Sequence, residues 1–203
     1  MPHRDWRALP YQFDTVEHMN LWDRIVEHAS ERHGYVTTRD ARSLGIDPVQ
    51  LRLMAARGRL EHVGRGVYRV PFLPRSPHDD LAAAVAWTLG RAVVSHESAL
   101  VLHGLSDVNP SRVHLTVPPD NHPRAGGGEL YRLHRRALSE ADVTERDALP
   151  VTTVARTIED CAGSGTDPQQ LRMAIDRAEA DGVLRRAPAA RLRQELGERA
   201  KRR

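Results

Sequence analysis

Arg52, Arg57, Arg59, Arg65 and Arg69 crowd into one stretch, GIDPVQLRLMAARGRLEHVGRGVYRV, together with Gln50 and Leu53. A guanidinium can bond a phosphate, or the edge of a guanine, through two parallel N–H groups, and a glutamine amide can read adenine in the same way. Gln50 has a second use, as the third residue of a capping box opened by Asp47. Leu53 suits a thymine methyl or a structural place beneath the following hairpin. Upstream, Thr37, Thr38 and Arg39 begin a helical run, where hydroxyls and backbone N–H groups commonly hold a phosphate. The chemistry implied is recognition of a polyanion. Charge supports it: six arginines stand against the single acid Glu61 between Pro48 and Arg75, although the whole chain carries only +3. Clustered cations in a near-neutral chain are the footprint of phosphate binding. A second basic run, from Gly182 to Arg203, fits a solvated helix face as well as it fits a polyanion.

Signals for bond-making chemistry are weaker. Among eleven histidines, His96 and His103 lie seven apart, and His114 and His134 fall on two candidate neighbouring strands. No HExxH, paired CxxC or acidic cluster accompanies them, so the expectation is half-buried structural histidines, with no metal and no cofactor. Ser95, His96 and Glu97 are consecutive, and neighbours on a helix diverge in direction, which is wrong for a nucleophile and its base. Ser95 is read instead as a helix cap. An enzyme acting on nucleotides or nucleic acid, with His96, His103 and Arg156 at its site, remains the alternative. A ligand-sensing transcription factor is another. RNA or single-stranded ligands fit poorly, because aromatic residues make up only 4% of the chain and offer no stacking platform.

The elements that would position these residues are legible. LWDRIVEHASERHG has helical spacing of apolar residues and ends at Gly34; TTRDARSLG starts a second helix with a Thr37/Asp40 capping box. Asp47 caps a third helix with Pro48 at its first position. On that helix Leu51, Met54 and Ala55 share one face, while Gln50, Leu53 and Arg57 point away. LEHV and VYRV then alternate at strand period around Gly64-Arg65-Gly66, whose two glycines suit a tight hairpin. This order is that of a winged helix-turn-helix over residues 20–71, with an arm over 1–19 and the proline-rich linker 72–77 after it. Residues 78–203 carry helices near His78–Leu89 and after Ser95, strands RVHLTV and LYRLHR joined by a loop containing Gly126–Gly128, a short LPVTT strand, the helix VARTIEDCAG, and helices from Pro168 to about Ala180 and from Pro188 to about Arg199. The fold expected is α+β: a winged helix followed by a mixed α/β domain.

The single cysteine, Cys161, cannot form an internal disulfide, and the most apolar run, LAAAVAWTLGRAVV, is too short to span a bilayer. With no apolar core in MPHRDWRALPYQF, the expectation is a cytoplasmic protein without membrane contact.

Three blocks resemble the AbiEi family of antitoxins from type IV toxin-antitoxin systems, in their short actinobacterial form. They are GYVTTRDARSLGIDPVQLRLMAARGRLEHVGRGVYRV, then VVSHESALVLHGL with VHLTVP, and LPVTTVARTIEDCA. The resemblance runs from about Leu21 to Leu184. It implies a non-enzymatic autorepressor whose winged helix binds inverted repeats in its own promoter, as a homodimer or as cooperative monomers on double-stranded DNA. Its C-terminal domain would counter a nucleotidyltransferase-like toxin. Leu53 stands where the family usually has a polar or basic residue.

Overall fold

A computed structural model describes residues 20–107, 110–120 and 129–201. The proposed arm, the glycine triplet Gly126–Gly128, and Arg202 and Arg203 lie outside the described residues.

The front part runs α1 (Leu21–Ser30), β1 (Tyr35–Thr37), α2 (Thr38–Ser43), α3 (Pro48–Ala56), β2 (Glu61–Gly64) and β3 (Val67–Arg69). The strands form an antiparallel sheet in the order β1-β3-β2. This is a winged helix-turn-helix, as expected, with one strand more than the sequence suggested. Asn20 caps α1 through its side chain, Thr37 and Asp40 form the capping box of α2, and Asp47 caps α3 with Pro48 behind it. Gln50 takes no part in that cap, so its side chain is left on the exposed face. Ile25, Val36, Leu51, Leu60 and Val70 close the core between helices and sheet.

The hairpin departs from expectation at one glycine. Gly66 has φ +74°, but Gly64 is an ordinary strand residue beside a register shift between His62 and Gly64. A Cβ on Gly66 would also lie 2.8 Å from Thr38 Oγ1. Glycine is therefore needed there for both dihedral and space.

The second part contains α4 (Asp79–Trp87), β4 (Val93–Val94), α5 (His96–Leu102), β5 (Val113–Val117), β6 (Tyr131–Arg135), β7 (Val143–Arg146), β8 (Leu149–Thr152), α6 (Val154–Ser164), α7 (Pro168–Ala180) and α8 (Arg186–Lys201). The strands make one mixed sheet, ordered β6-β5-β4-β8-β7. The segments RVHLTV and LYRLHR do pair, but in parallel. A parallel pair cannot be closed by a tight hairpin. Pro188 falls inside the first turn of α8, where a missing N–H leaves nothing unsatisfied, so the helix begins earlier than a proline start suggests.

Alanine-rich α4 is buried against the sheet through Leu81, Ala82 and Ala84, in one cluster with Tyr35 and Val67 of the front sheet. The two parts therefore share a core across residues 72–77. Arg69 ties that join. Its guanidinium donates to the carbonyls of Val70, Pro71 and Leu73, and it lies 4.0 Å from the Asp79 carboxylate. On the far side, Leu100 and Leu105 pack with Ile158, Leu171, Ile175 and Leu192 of α6, α7 and α8. Among the described residues no helix is long and apolar enough to cross a membrane.

Candidate nucleic-acid interface and a histidine cluster

Burial of Leu51 and Met54 fixes the rotation of α3 and turns Gln50, Arg52, Leu53 and Arg57 outward together. Val49 and Leu53 are 41% and 39% exposed there, an unusual place for two large apolar side chains beside arginines. The side chains of Arg52, Arg57 and Arg65 make no ion pair or hydrogen bond to another described residue. Arg59, just past α3, lies over the Trp22 ring at 5.5 Å, which holds its charge against α1.

The start of α2 is built differently from the phosphate site expected there. Thr37 is 2% exposed, and its hydroxyl donates to Asp40 Oδ2 at 2.7 Å. Its backbone N–H goes to the same carboxylate, the N–H of Thr38 donates to the Gly66 carbonyl, and that of Asp40 donates to Thr37 Oγ1. Burial alone would raise the Asp40 carboxyl, but contacts from His28 and Thr37 outweigh it and hold it below its usual range. A carboxylate thus already occupies the position a phosphate would take. Arg39 donates to the Gly90 carbonyl, and the hairpin tip stands against Thr38 and Leu89. Thr37, Thr38 and Arg39 face the second part of the chain.

Arg69 is 3% exposed and engaged with four neighbours, so it joins two parts of the protein. The sequence pattern of alternating strand residues missed this, because the acceptors are carbonyls one to four residues further on. A cleft of about 750 Å³ opens at the same junction, lined by Tyr35, Arg39 and Asp40 on one side and Val85, Leu89 and Glu145 on the other.

Two arginines of the basic C-terminal run are neutralised internally at close range. Arg191 pairs with Glu159 at 2.7 Å, and Arg193 with Asp176 and Glu179 at 2.6 and 2.7 Å. These contacts seat α8 on α6 and α7.

Of the candidate enzyme residues, the structure brings His96 and Arg156 to one cleft of about 770 Å³, and places His103 elsewhere. His103 donates through Nε2 to the Thr152 carbonyl at 2.8 Å. Arg156 is bound to Glu159 at 2.9 Å and to Asp160 at 2.6 Å. Ser95 and His96 do approach, Oγ to Nδ1 at 2.9 Å, because His96 has φ +53° and leaves helical geometry. Ser95 occupies the cap position without capping, and it is fully buried, so no substrate reaches it as a nucleophile. Burial also pushes the Cys161 thiol up to about 12, so it stays protonated and inert.

His96 is joined by His114 and His134. The His96 and His134 rings stack with centroids 3.5 Å apart, and His114 lies 5.7 and 5.2 Å from them. Burial, reinforced by the other histidines and by Arg132, lowers His96 to about 3 and His134 to about 4. Burial also lowers His114, with Glu97 pulling the other way. His96 and His134 are neutral at pH 7. His114 Nδ1 and His134 Nε2 are buried without a partner, each costing about 1–3 kcal/mol.

Residues 23–71 match the family described as transcriptional regulator, AbiEi antitoxin. Among solved structures the chain is similar to the RV2827C protein from Mycobacterium tuberculosis. The two are 18% identical, the match covers 86% of this chain and 81% of that one, and the TM-score is 0.41. No curated protein matches the chain.

Proposed function

We propose that this chain, whose residues 23–71 carry the AbiEi antitoxin regulator signature, is a non-enzymatic cytoplasmic antitoxin that represses its own promoter. In this reading α3 enters the major groove. Arg52 and Arg57 bond phosphates or guanine edges, Gln50 reads adenine, and Leu53 meets a thymine methyl. Arg65 reaches the backbone beside it, and Arg59 adds charge from the end of α3. The observation that carries the reading is the outward face of α3, where two unpaired arginines and an amide surround two exposed apolar side chains.

One short helix and a small hairpin give modest affinity, so two copies bind an inverted repeat, as a dimer or cooperatively. The second part would counter a nucleotidyltransferase-like toxin encoded beside it. The test is a gel shift of the purified chain on its own upstream region against a scrambled duplex, followed by co-expression with the neighbouring gene. Specific retardation and rescue of growth are expected. Equal binding to both duplexes would refute the repressor half, and toxicity undiminished by co-expression would refute the antitoxin half.

A second reading is favoured by the cleft between the winged helix and the sheet: a small ligand bound there would make the chain a sensor. A compound that binds the cleft residues and changes operator affinity would establish it.

A further inference from the structure

The SHES segment, Ser95 to Ser98, plays no part in the DNA-binding face, yet each of its residues is held in place. Ser95 Oγ meets His96 Nδ1, Glu97 Oε1 accepts from Thr166 Oγ1 at 3.0 Å, and Ser98 Oγ accepts from the His114 N–H at 2.9 Å. The backbone N–H of Ser95 donates to the His114 carbonyl at 3.1 Å. The first turn of α5 is thereby clamped onto β5 at His114. Thr116 is the register partner of His134 in the parallel β5/β6 pair, so His114, two residues earlier, faces the same side as His134. Three elements thus deliver three imidazoles to one point, and His96 reaches it only through a left-handed backbone that a non-glycine residue rarely adopts.

We propose that His96, His114 and His134 form a binding site for a divalent transition-metal ion of the zinc class, with a fourth position open to the arginine-lined cleft. One ligating nitrogen from each residue lies within 4.8 Å of the other two. His114 Nδ1 and His134 Nε2 are buried and lack any hydrogen-bond partner, so both have a lone pair or a proton with nowhere to go. Ser95 engages His96 at Nδ1, which leaves Nε2 for the ion and fixes the ring as an outer hydrogen bond to a ligand usually does.

The donor set decides the class of metal. Three nitrogens and no carboxylate suit zinc, cobalt or nickel and discriminate against magnesium and calcium. His96 and His134 also line the cleft, so a water or an anion oxygen entering from it completes a tetrahedron. The cleft is less positive than its arginines suggest, because Arg136 and Arg156 are paired with Asp160, and Arg191 with Glu159. Binding requires the stacked His96 and His134 rings to fan apart about their χ2 angles, so that both lone pairs converge. The site shares no residue with the face of α3.

The test uses the untagged full-length chain stripped with a chelator. Cobalt titrated into it is expected to give the absorption of a tetrahedral nitrogen site, and zinc to bind at about one ion per chain. His114→Gln and His134→Gln should each weaken zinc on the order of 100-fold, while His62→Gln, an exposed histidine on β2, leaves it unchanged. Circular dichroism checks that the variants are folded. Should they not be, imidazole NMR of the wild type decides: zinc should shift the resonances of His96, His114 and His134 among the eleven histidines. Absence of uptake, equal binding by all three variants, or shifts confined to other histidines would each overturn the site.

Discussion

Acid should destabilise this protein well above the pH at which carboxylates titrate, and the three-histidine cluster sets the size of the effect. His96 has an ordinary value of 6.5 and is held at about 3 in the fold. Below pH 6.5 the unfolded chain takes up a proton that the folded chain refuses, so stability is full above 6.5 and falls as pH drops toward 3. At pH 5, roughly 1.5 units into that window, His96 alone costs about 2 kcal/mol at 1.36 kcal/mol per unit. His134, lowered to about 4 but only half buried, has the same sign and adds about 1 kcal/mol after discounting for solvent. The total, about 3 kcal/mol, is a large share of the stability of a small protein. Urea denaturation at pH 7 and pH 5, with chelator present, measures it directly. The His96→Gln, His134→Gln double variant should lose about 3 kcal/mol less than the wild type over the same interval. Equal wild-type stability at both pH values, or an undiminished loss in the double variant, would refute the reasoning.

Gly66→Ala should destabilise the front sheet by about 1–3 kcal/mol, from a positive φ and a Cβ placed against Thr38 Oγ1, and adding Thr38→Ala should recover part of it. Arg69→Met takes the guanidinium donor from the Pro71 and Leu73 carbonyls and should cost about 2–4 kcal/mol in denaturation, while operator affinity of the folded fraction stays unchanged. Asp167→Ala removes the side-chain cap of α7 and should cost about 1 kcal/mol, a shift of a few degrees in the thermal midpoint.

Helix starts were the most legible feature, because a cap is a local interaction. Asp47-Pro48 and Asp167-Pro168 both mark their helices to the residue. Strand β1 was hidden, since three residues between two helices carry no period. The pairing of β5 and β6 was visible in their composition, but its parallel sense depends on the path of the chain between them. His114 and His134 were recognisable as neighbours across strands. His96 was not, because its approach depends on a positive φ that no sequence rule assigns to histidine. Among the candidate DNA contacts, those on α3 follow from helical spacing and keep their outward direction. Those at Thr37, Thr38, Arg39 and Arg69 depend on long-range packing, and there the second part of the chain or the residues after β3 take up the groups expected for phosphate.

The central claim is that the outer face of α3 holds DNA, and the most direct test is fluorescence anisotropy of the wild type, Arg52→Ala and Arg57→Ala on the upstream region across a series of salt concentrations. The account predicts weaker binding in both variants, with the slope of log affinity against log salt reduced by about one for each arginine that contacts a phosphate. Affinity and slope unchanged in both variants would contradict it.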